Sequence, residues 1–177
     1  MLFCASRCFL RKPAEPLNVL VSGSGQIDLR LPVFRSRRLQ TVVITTAAGA
    51  KRLHDRKTPP SVKIHAVPGY RGTIPPLSIL DAVDRMNAGK RVLIEGGPRL
   101  LGQFYARRLV DEQFLTLAPQ IAGRAYGDGR LGLVMGQAFP PGGTRWGTLT
   151  DIRRGGSHLF LRYTFRHSRA GDRRAIA

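Results

Sequence analysis

Residues 91–103 read RVLIEGGPRLLGQ, an apolar run that stops at a carboxylate, two glycines and a proline. Each of these residue types has a use in binding an anionic ligand. A strand over residues 91–95 would carry Glu95 at its carboxyl end, the edge at which open α/β sheets hold ligands. Gly96 and Gly97 have no Cβ, so a ligand can approach their backbone closely. Pro98 suits the first turn of a helix, and the N–H groups of Arg99, Leu100 and Leu101 behind it would face the loop with the positive end of the helix dipole. Such an arrangement cradles a pyrophosphate. The pattern is neither G-x-G-x-x-G nor a Walker A, so neither a standard Rossmann domain nor a P-loop NTPase is supported. A bare Gly-Gly between strand and helix also serves as a plain tight turn, and the residues alone leave that alternative open.

Other chemistries find less support. The histidines, His54, His65, His158 and His167, are scattered, and Cys4 and Cys8 have no second cysteine pair to complete a zinc site, so no metal is expected. No Ser/His/Asp or Cys/His arrangement stands out, and no catalytic residue can be named. The formal charge of +18, from 29 Lys and Arg against 11 Asp and Glu, suits phosphorylated ligands as well as nucleic acid. The arginines are dispersed or paired rather than blocked, and the densest runs, RSRR at 35–38 and DRR at 172–174, lack interleaved aromatics. Nucleic acid is therefore not expected as the main partner. No stretch is long and apolar enough for a secretory signal or a membrane span, which points to a cytoplasmic protein without a membrane partner.

The elements that must position Glu95 and its loop alternate along the chain. LNVLVS (17–22) and TVVITT (41–46) are continuous apolar runs, as expected of strands buried on both faces of a parallel sheet. SVKIHAV (61–67) alternates and belongs nearer an edge. PLSILDAVDRMNAGK (76–90) is a helix with Ser78 as N-cap, Ile79, Leu80, Val83 and Met86 on one face and Gly89 as its stop. The strand RVLIE, the helix PRLLGQFYARRLV (98–110) and the strand EQFLTLAP (112–119) follow. WGTLTDIRR and SHLFLRYTFR, joined at Gly155 and Gly156, make a β-hairpin with Leu159, Leu161, Tyr163 and Phe165 on one face and His158, Phe160, Arg162 and Thr164 on the other. The order is that of an α/β domain, a mostly parallel sheet flanked by helices and closed by an antiparallel hairpin. Residues 1–16 are expected to be an atypical, disordered start, residues 17–167 the domain and residues 168–177 a disordered tail.

VLIEGGPRLLGQFYARRLVDEQFLTLAPQIAGR resembles the signature of the C-terminal reductase domain of the bifunctional riboflavin-biosynthesis deaminase/reductase, a pyrimidine-reductase family with a dihydrofolate-reductase-like fold. PLNVLVSGSGQIDLRLPVF and TVVITTAAGAKRL resemble the preceding strands of that family in the right order. The resemblance implies NADPH as cofactor and hydride transfer that reduces the ribosyl group of an aminopyrimidine phosphate to a ribityl group. Gly97, Pro98, Arg99, Leu100, Leu101, Gly102 and Gln103 match the family's pyrophosphate-binding loop and helix start, with Gly96 beside them. Glu95 matches the carboxylate that contacts the phosphorylated substrate. Ser22 falls where the family has a cofactor-contacting strand end, and Thr45 and Thr46 occupy another. Asp111 and Glu112 are family-typical at a helix-to-strand turn and read as structural. Arg35, Arg37, Arg38, Lys51 and Arg52 are candidates for the cofactor's 2′-phosphate. Such a reaction asks the protein chiefly to orient two ligands and exclude water.

Two departures from the family pattern bear on activity. The opening strand–helix–strand segment with its S-x-D-G-like motif has no counterpart here, and neither does a zinc deaminase domain. Without that opening the neighbouring strands are expected to expose an unpaired edge, and a dinucleotide-binding but inactive fragment stands as the alternative to an active reductase. Whether the chain is a monomer or a homodimer is open. If the positive charge surrounds a phosphate-ligand site, random duplex DNA should bind weakly, with affinity falling steeply between low and physiological salt, as fluorescence anisotropy would measure. Tight, sequence-dependent binding at physiological salt would instead favour a nucleic-acid function.

Overall fold

The computed structural model describes residues 15–165 apart from 37, 87–90, 124 and 130. The expectations for the start and tail, for Arg37 and for Gly89 as a helix stop lie outside the described residues. The chain forms two compact units, Met1–Leu93 and Ile94–Ala177.

The first unit is built on a three-stranded parallel sheet of order β1-β2-β3, from β1 (Asn18–Val21), β2 (Thr41–Thr45) and β3 (Val62–Ala66). Register is Asn18 opposite Thr41 and Thr41 opposite Val62. All residues of β2 are buried, as its unbroken β-branched run requires of a central strand. The alternating β3 pairs with β2 alone, so it is an edge. Phe34, Val43, Leu53 and Val62 form the core, with Leu20, Ile27, Leu29, Val33 and Ile64 packed against them.

Helix α1 (Ala47–Asp55), which the periodicity analysis did not identify, lies against β2 and β3. It is short and its apolar content low, so a 3.6-residue pattern barely registers. Its signal is the cap instead: the Thr46 hydroxyl accepts a hydrogen bond from the Gly49 N–H at 3.2 Å. Helix α2 (Pro76–Arg85) starts earlier than expected, with Pro75 and not Ser78 at the N-cap. Proline at the first helical position loses no hydrogen bond, because that N–H has no partner in a helix anyway. Ile79, Ala82 and Val83 form its buried face.

In the second unit, α3 (Pro98–Ala106) begins at Pro98 as expected. An antiparallel sheet of order β4-β6-β5 follows, from β4 (Glu112–Leu117), β5 (Thr148–Gly155) and β6 (His158–Thr164). Leu117 faces Leu159 and Leu115 faces Leu161, which places the β6 faces as the alternation requires. On the opposite face Arg162 pairs with Glu112 at 2.6 Å and stacks over the Phe114 ring. Thus the α/β class holds, with its parallel and antiparallel parts in separate sheets.

The expected strand over residues 91–95 is a correction. These residues join no ladder, and Val92 and Leu93 are 48% and 75% exposed. A strand is defined by its neighbours' N–H and C=O groups, and apolar composition without a neighbour leaves the backbone unpaired.

Leu53→Ala should destabilise the protein by about 2–5 kcal/mol, because the cavity would open between Phe34, Val43 and Val62. Urea denaturation followed by far-UV circular dichroism checks the value.

Candidate functional site

The candidate residues fall into two groups. Ser22, Thr45 and Thr46 belong to the first unit, and Glu95 to Gln103 to the second.

Ser22, Thr45 and Thr46 meet at the carboxyl end of the parallel sheet. The Ser22 N–H continues the ladder to the Ile44 carbonyl at 3.0 Å. The Thr45 hydroxyl donates to the Ser22 carbonyl at 2.6 Å, and the Thr46 hydroxyl to the Gly23 carbonyl at 2.7 Å. Thr45 is completely buried, with its hydroxyl engaged by the Ser22 carbonyl. Thr46 holds two structures at once, the loop after β1 and the start of α1. The partly buried Ser22 keeps its place at the strand end.

Glycines outside any recognisable motif close this end of the sheet. A Cβ on Gly23 would overlap the Gly72 carbonyl, and one on Gly25 the Gly49 carbonyl. A Cβ on Gly49 would overlap the Thr45 hydroxyl. The SGSG, AAG and YRG stretches carry these residues, but only their mutual approach reveals the need for glycine.

The basic candidates separate by position. Arg35 and Arg38 lie in the segment leading into the amino end of β2, where Gln40 accepts from the Asn18 N–H and the Ser61 hydroxyl donates to the Phe34 carbonyl. That is the end away from the ligand edge, and Arg38 is paired with Glu15 at 3.1 Å. Lys51 and Arg52 are exposed on α1, and the Arg52 guanidinium donates to the Ser24 carbonyl.

In the second unit, Gly97 is the N-cap of α3 with φ −63° and ψ 163°, and no side chain caps the helix. A Cβ on Gly97 would meet nothing within 4 Å, so the space before the helix start is open. The Leu101 N–H bonds the Gly97 carbonyl at 3.1 Å, which removes it from the expected set of free donors. Arg99 and Leu100, following a proline, are the first-turn residues whose N–H groups have no intrahelical acceptor. No acidic residue stands in the first turn, so an anion meets no repulsion from the helix. These features fit a phosphate group.

Gly96 is exposed, and a Cβ there would come within 2.7 Å of Leu100 Cδ2, the far end of a flexible side chain. Gly102 is buried, with the Met135 carbonyl 2.7 Å from where a Cβ would lie, so no side chain fits there. Pro98 anchors the same loop, its carbonyl accepting from the Met135 N–H at 3.1 Å. Gln103 is partly buried, and Glu95 is exposed on the unpaired segment.

A three-stranded parallel sheet with glycine-lined loops at its carboxyl end, and a Gly-Pro helix start followed by an antiparallel sheet, are parts of a dihydrofolate-reductase-like α/β reductase fold. Residues 6–139 match the RibD C-terminal domain family, and the chain belongs to it. The fold is similar to that of a pyrimidine reductase-like protein from Corynebacterium diphtheriae, with a TM-score of 0.67 and 22% identity over 93% of this chain and 67% of that one. It is also similar to RibD from Acinetobacter baumannii, with a TM-score of 0.52 and 18% identity over 92% and 51% of the two chains. A third similar structure is a diaminohydroxyphosphoribosylaminopyrimidine deaminase/5-amino-6-(5-phosphoribosylamino)uracil reductase from Thermotoga maritima (TM-score 0.64, 17% identity, 86% of this chain and 38% of that one). The chain thus spans about half of the Acinetobacter protein and less of the Thermotoga one. No curated protein matches the sequence.

Gly23→Ala should cost about 3 kcal/mol, because a backbone carbonyl occupies the site of the new methyl and must be displaced. Thr45→Val keeps the shape and loses the hydroxyl that satisfies the Ser22 carbonyl, at a cost of about 1 kcal/mol. Thermal unfolding of both variants should rank them in that order.

Proposed function

We propose that the chain is an NADPH-dependent reductase of the riboflavin-biosynthesis pyrimidine-reductase type. Its substrate in this reading is an aminopyrimidine carrying a phosphorylated ribosyl group, reduced to the ribityl form. The single observation that carries the reading is the open, uncapped start of α3, where Gly97 leaves room and Arg99 and Leu100 offer backbone donors. Family membership supplies the reaction class. NADPH, when bound, supplies the hydride. The chain's own residues bind and orient: the N–H groups after Pro98 hold the pyrophosphate, and Ser22 and Thr46 keep the loop after β1 in place. Glu95 is proposed to accept hydrogen bonds from the phosphorylated substrate. A basic surface raises the local concentration of both anionic ligands.

One observation favours a second reading, in which the chain binds the dinucleotide without turnover. Glu95, which should face the substrate, stands exposed at the end of a segment in no ladder. Hydride transfer requires reacting atoms held at about 3–3.5 Å, and an unsupported segment does not fix a carboxylate to that tolerance. NADPH oxidation with the aminopyrimidine substrate, measured beside NADPH titration, separates the two readings.

Gly97→Asp should weaken NADPH binding at least about tenfold, or roughly 1.4 kcal/mol, because a carboxylate would face the diphosphate across a poorly screened gap. Fluorescence titration of the folded variant checks this, and unchanged affinity would remove the cradle from the reading.

A further inference from the structure

Strand β5 (Thr148–Gly155) is an edge. In the order β4-β6-β5 it pairs with β6 on one side, and no strand among the described residues pairs with its other side. Its residues are exposed apart from the partly buried Asp151. Such an edge offers a row of backbone N–H and C=O groups to a further strand. Between Leu149 and Asp151 the register with β6 shifts, and the Thr150 hydroxyl donates to the Arg162 carbonyl at 3.2 Å. Beyond that bulge the strand is regular from Asp151 to Gly155, each residue opposite one of β6. Bulges and charges on an edge discourage indiscriminate pairing, so a strand that does pair here must match the side chains.

Those side chains match a second copy of the same strand. Asp151 and Arg153 share the face of Arg162 and Phe160, whereas Ile152 and Arg154 share the face of Leu161 and Leu159. Asp151 and Arg153 form an ion pair at 2.9 Å with side chains 40% and 79% exposed, and Ile152 is 56% exposed. A strand that reads acid, apolar, base is complementary to its own antiparallel copy. With a two-fold axis at Ile152, Asp151 of each copy lies opposite Arg153 of the other, Ile152 opposite Ile152, and Thr150 opposite Arg154. An axis at Asp151 would oppose two carboxylates, and one at Arg153 two guanidinium groups. Side chains alternate between faces, so these are the adjacent registers that keep each face continuous. The charge pattern thus selects one register, in a chain whose formal charge of +18 otherwise opposes contact between copies.

We propose that two copies of this chain pair through β5 about a two-fold axis at Ile152, joining their β4-β6-β5 sheets into one six-stranded antiparallel sheet. Interchain Asp151–Arg153 pairs on either side of the axis fix its register, and the Ile152 side chains meet on the opposite face. The regular stretch is short, so the dimer is weak and depends on concentration. This interface uses no residue of the proposed cofactor or substrate loops and goes beyond the reductase reading.

The test is sedimentation velocity of the full chain over a concentration series, in which monomer should pass to dimer and no further. Asp151→Arg and Arg153→Asp should each remove the dimer, because like charges then face one another on both sides of the axis. Mixed in equal amounts, the two variants should dimerise again, since each cation of one faces an acid of the other. A role for the ion pair only within its own strand does not predict that recovery. Asp151→Asn, which keeps the size of the side chain, should weaken the dimer about fivefold. Far-UV circular dichroism establishes that each variant is folded. A wild type that stays monomeric or assembles without limit, charge-reversal variants that dimerise as the wild type does, or a mixture that stays monomeric would overturn the proposal. If a charge reversal unfolds the chain, Asp151→Asn decides alone, and unchanged dimerisation overturns it.

Discussion

At the carboxyl end of the parallel sheet, the loops after β1 and β3 and the first turn of α1 approach until backbone meets backbone. Gly23 lies under the Gly72 carbonyl and Gly25 under the Gly49 carbonyl, with no volume for a side chain between them. Close approach leaves polar backbone groups little access to water, and the hydroxyls of Thr45 and Thr46 satisfy the carbonyls of Ser22 and Gly23. The same Thr46 oxygen accepts from Gly49 and so starts α1. One set of contacts thereby fixes the strand ends, the helix start and the loop that follows β3. Each structure depends on the others being in place.

The helix of the second unit is treated unequally at its two ends. At its start no side chain caps the helix, and a Cβ on the Gly97 N-cap would meet nothing within 4 Å. At its finish the Arg145 guanidinium donates to the carbonyls of Tyr105, Ala106 and Gly143 and stacks over Phe139. A cation at the carboxyl end complements the dipole and satisfies carbonyls that have no intrahelical donor. Burial pushes the Tyr105 phenol up, and its hydroxyl bonds the Gln113 side chain, tying α3 to β4.

Arg52 and Arg56 share with Arg145 a structural use of this kind. Arg52 and Arg56 donate to the carbonyls of Ser24 and Ile27, as Arg145 does to the end of α3. Arginine suits such work because its planar fork reaches several carbonyls at once and stays charged. The carbonyls held by Arg52 and Arg56 belong to the loop after β1, which has no ladder partners. Part of the +18 therefore ties down irregular backbone.

The chain's amino-acid order was enough to determine β1, β2 and β3, the proline start of α3 and the faces of the β5–β6 hairpin. These depend on local patterns: β-branched runs, alternation, and a proline whose missing N–H costs a helix nothing at its first position. It was not enough for α1, whose cap is a single threonine hydroxyl, nor for the start of α2 at Pro76, which a plausible Ser78 cap obscured. Nor did residues 91–95 become a strand, because pairing needs a neighbour and composition cannot supply one. The burial of Thr45 and the close approach of the Met135 carbonyl to Gly102 arise only in the folded chain. Which arginine stands at the ligand edge was likewise decided only by tertiary structure. Distance along the chain says nothing of which end of a sheet a loop occupies, and only the folded backbone brings Gly72 onto Gly23.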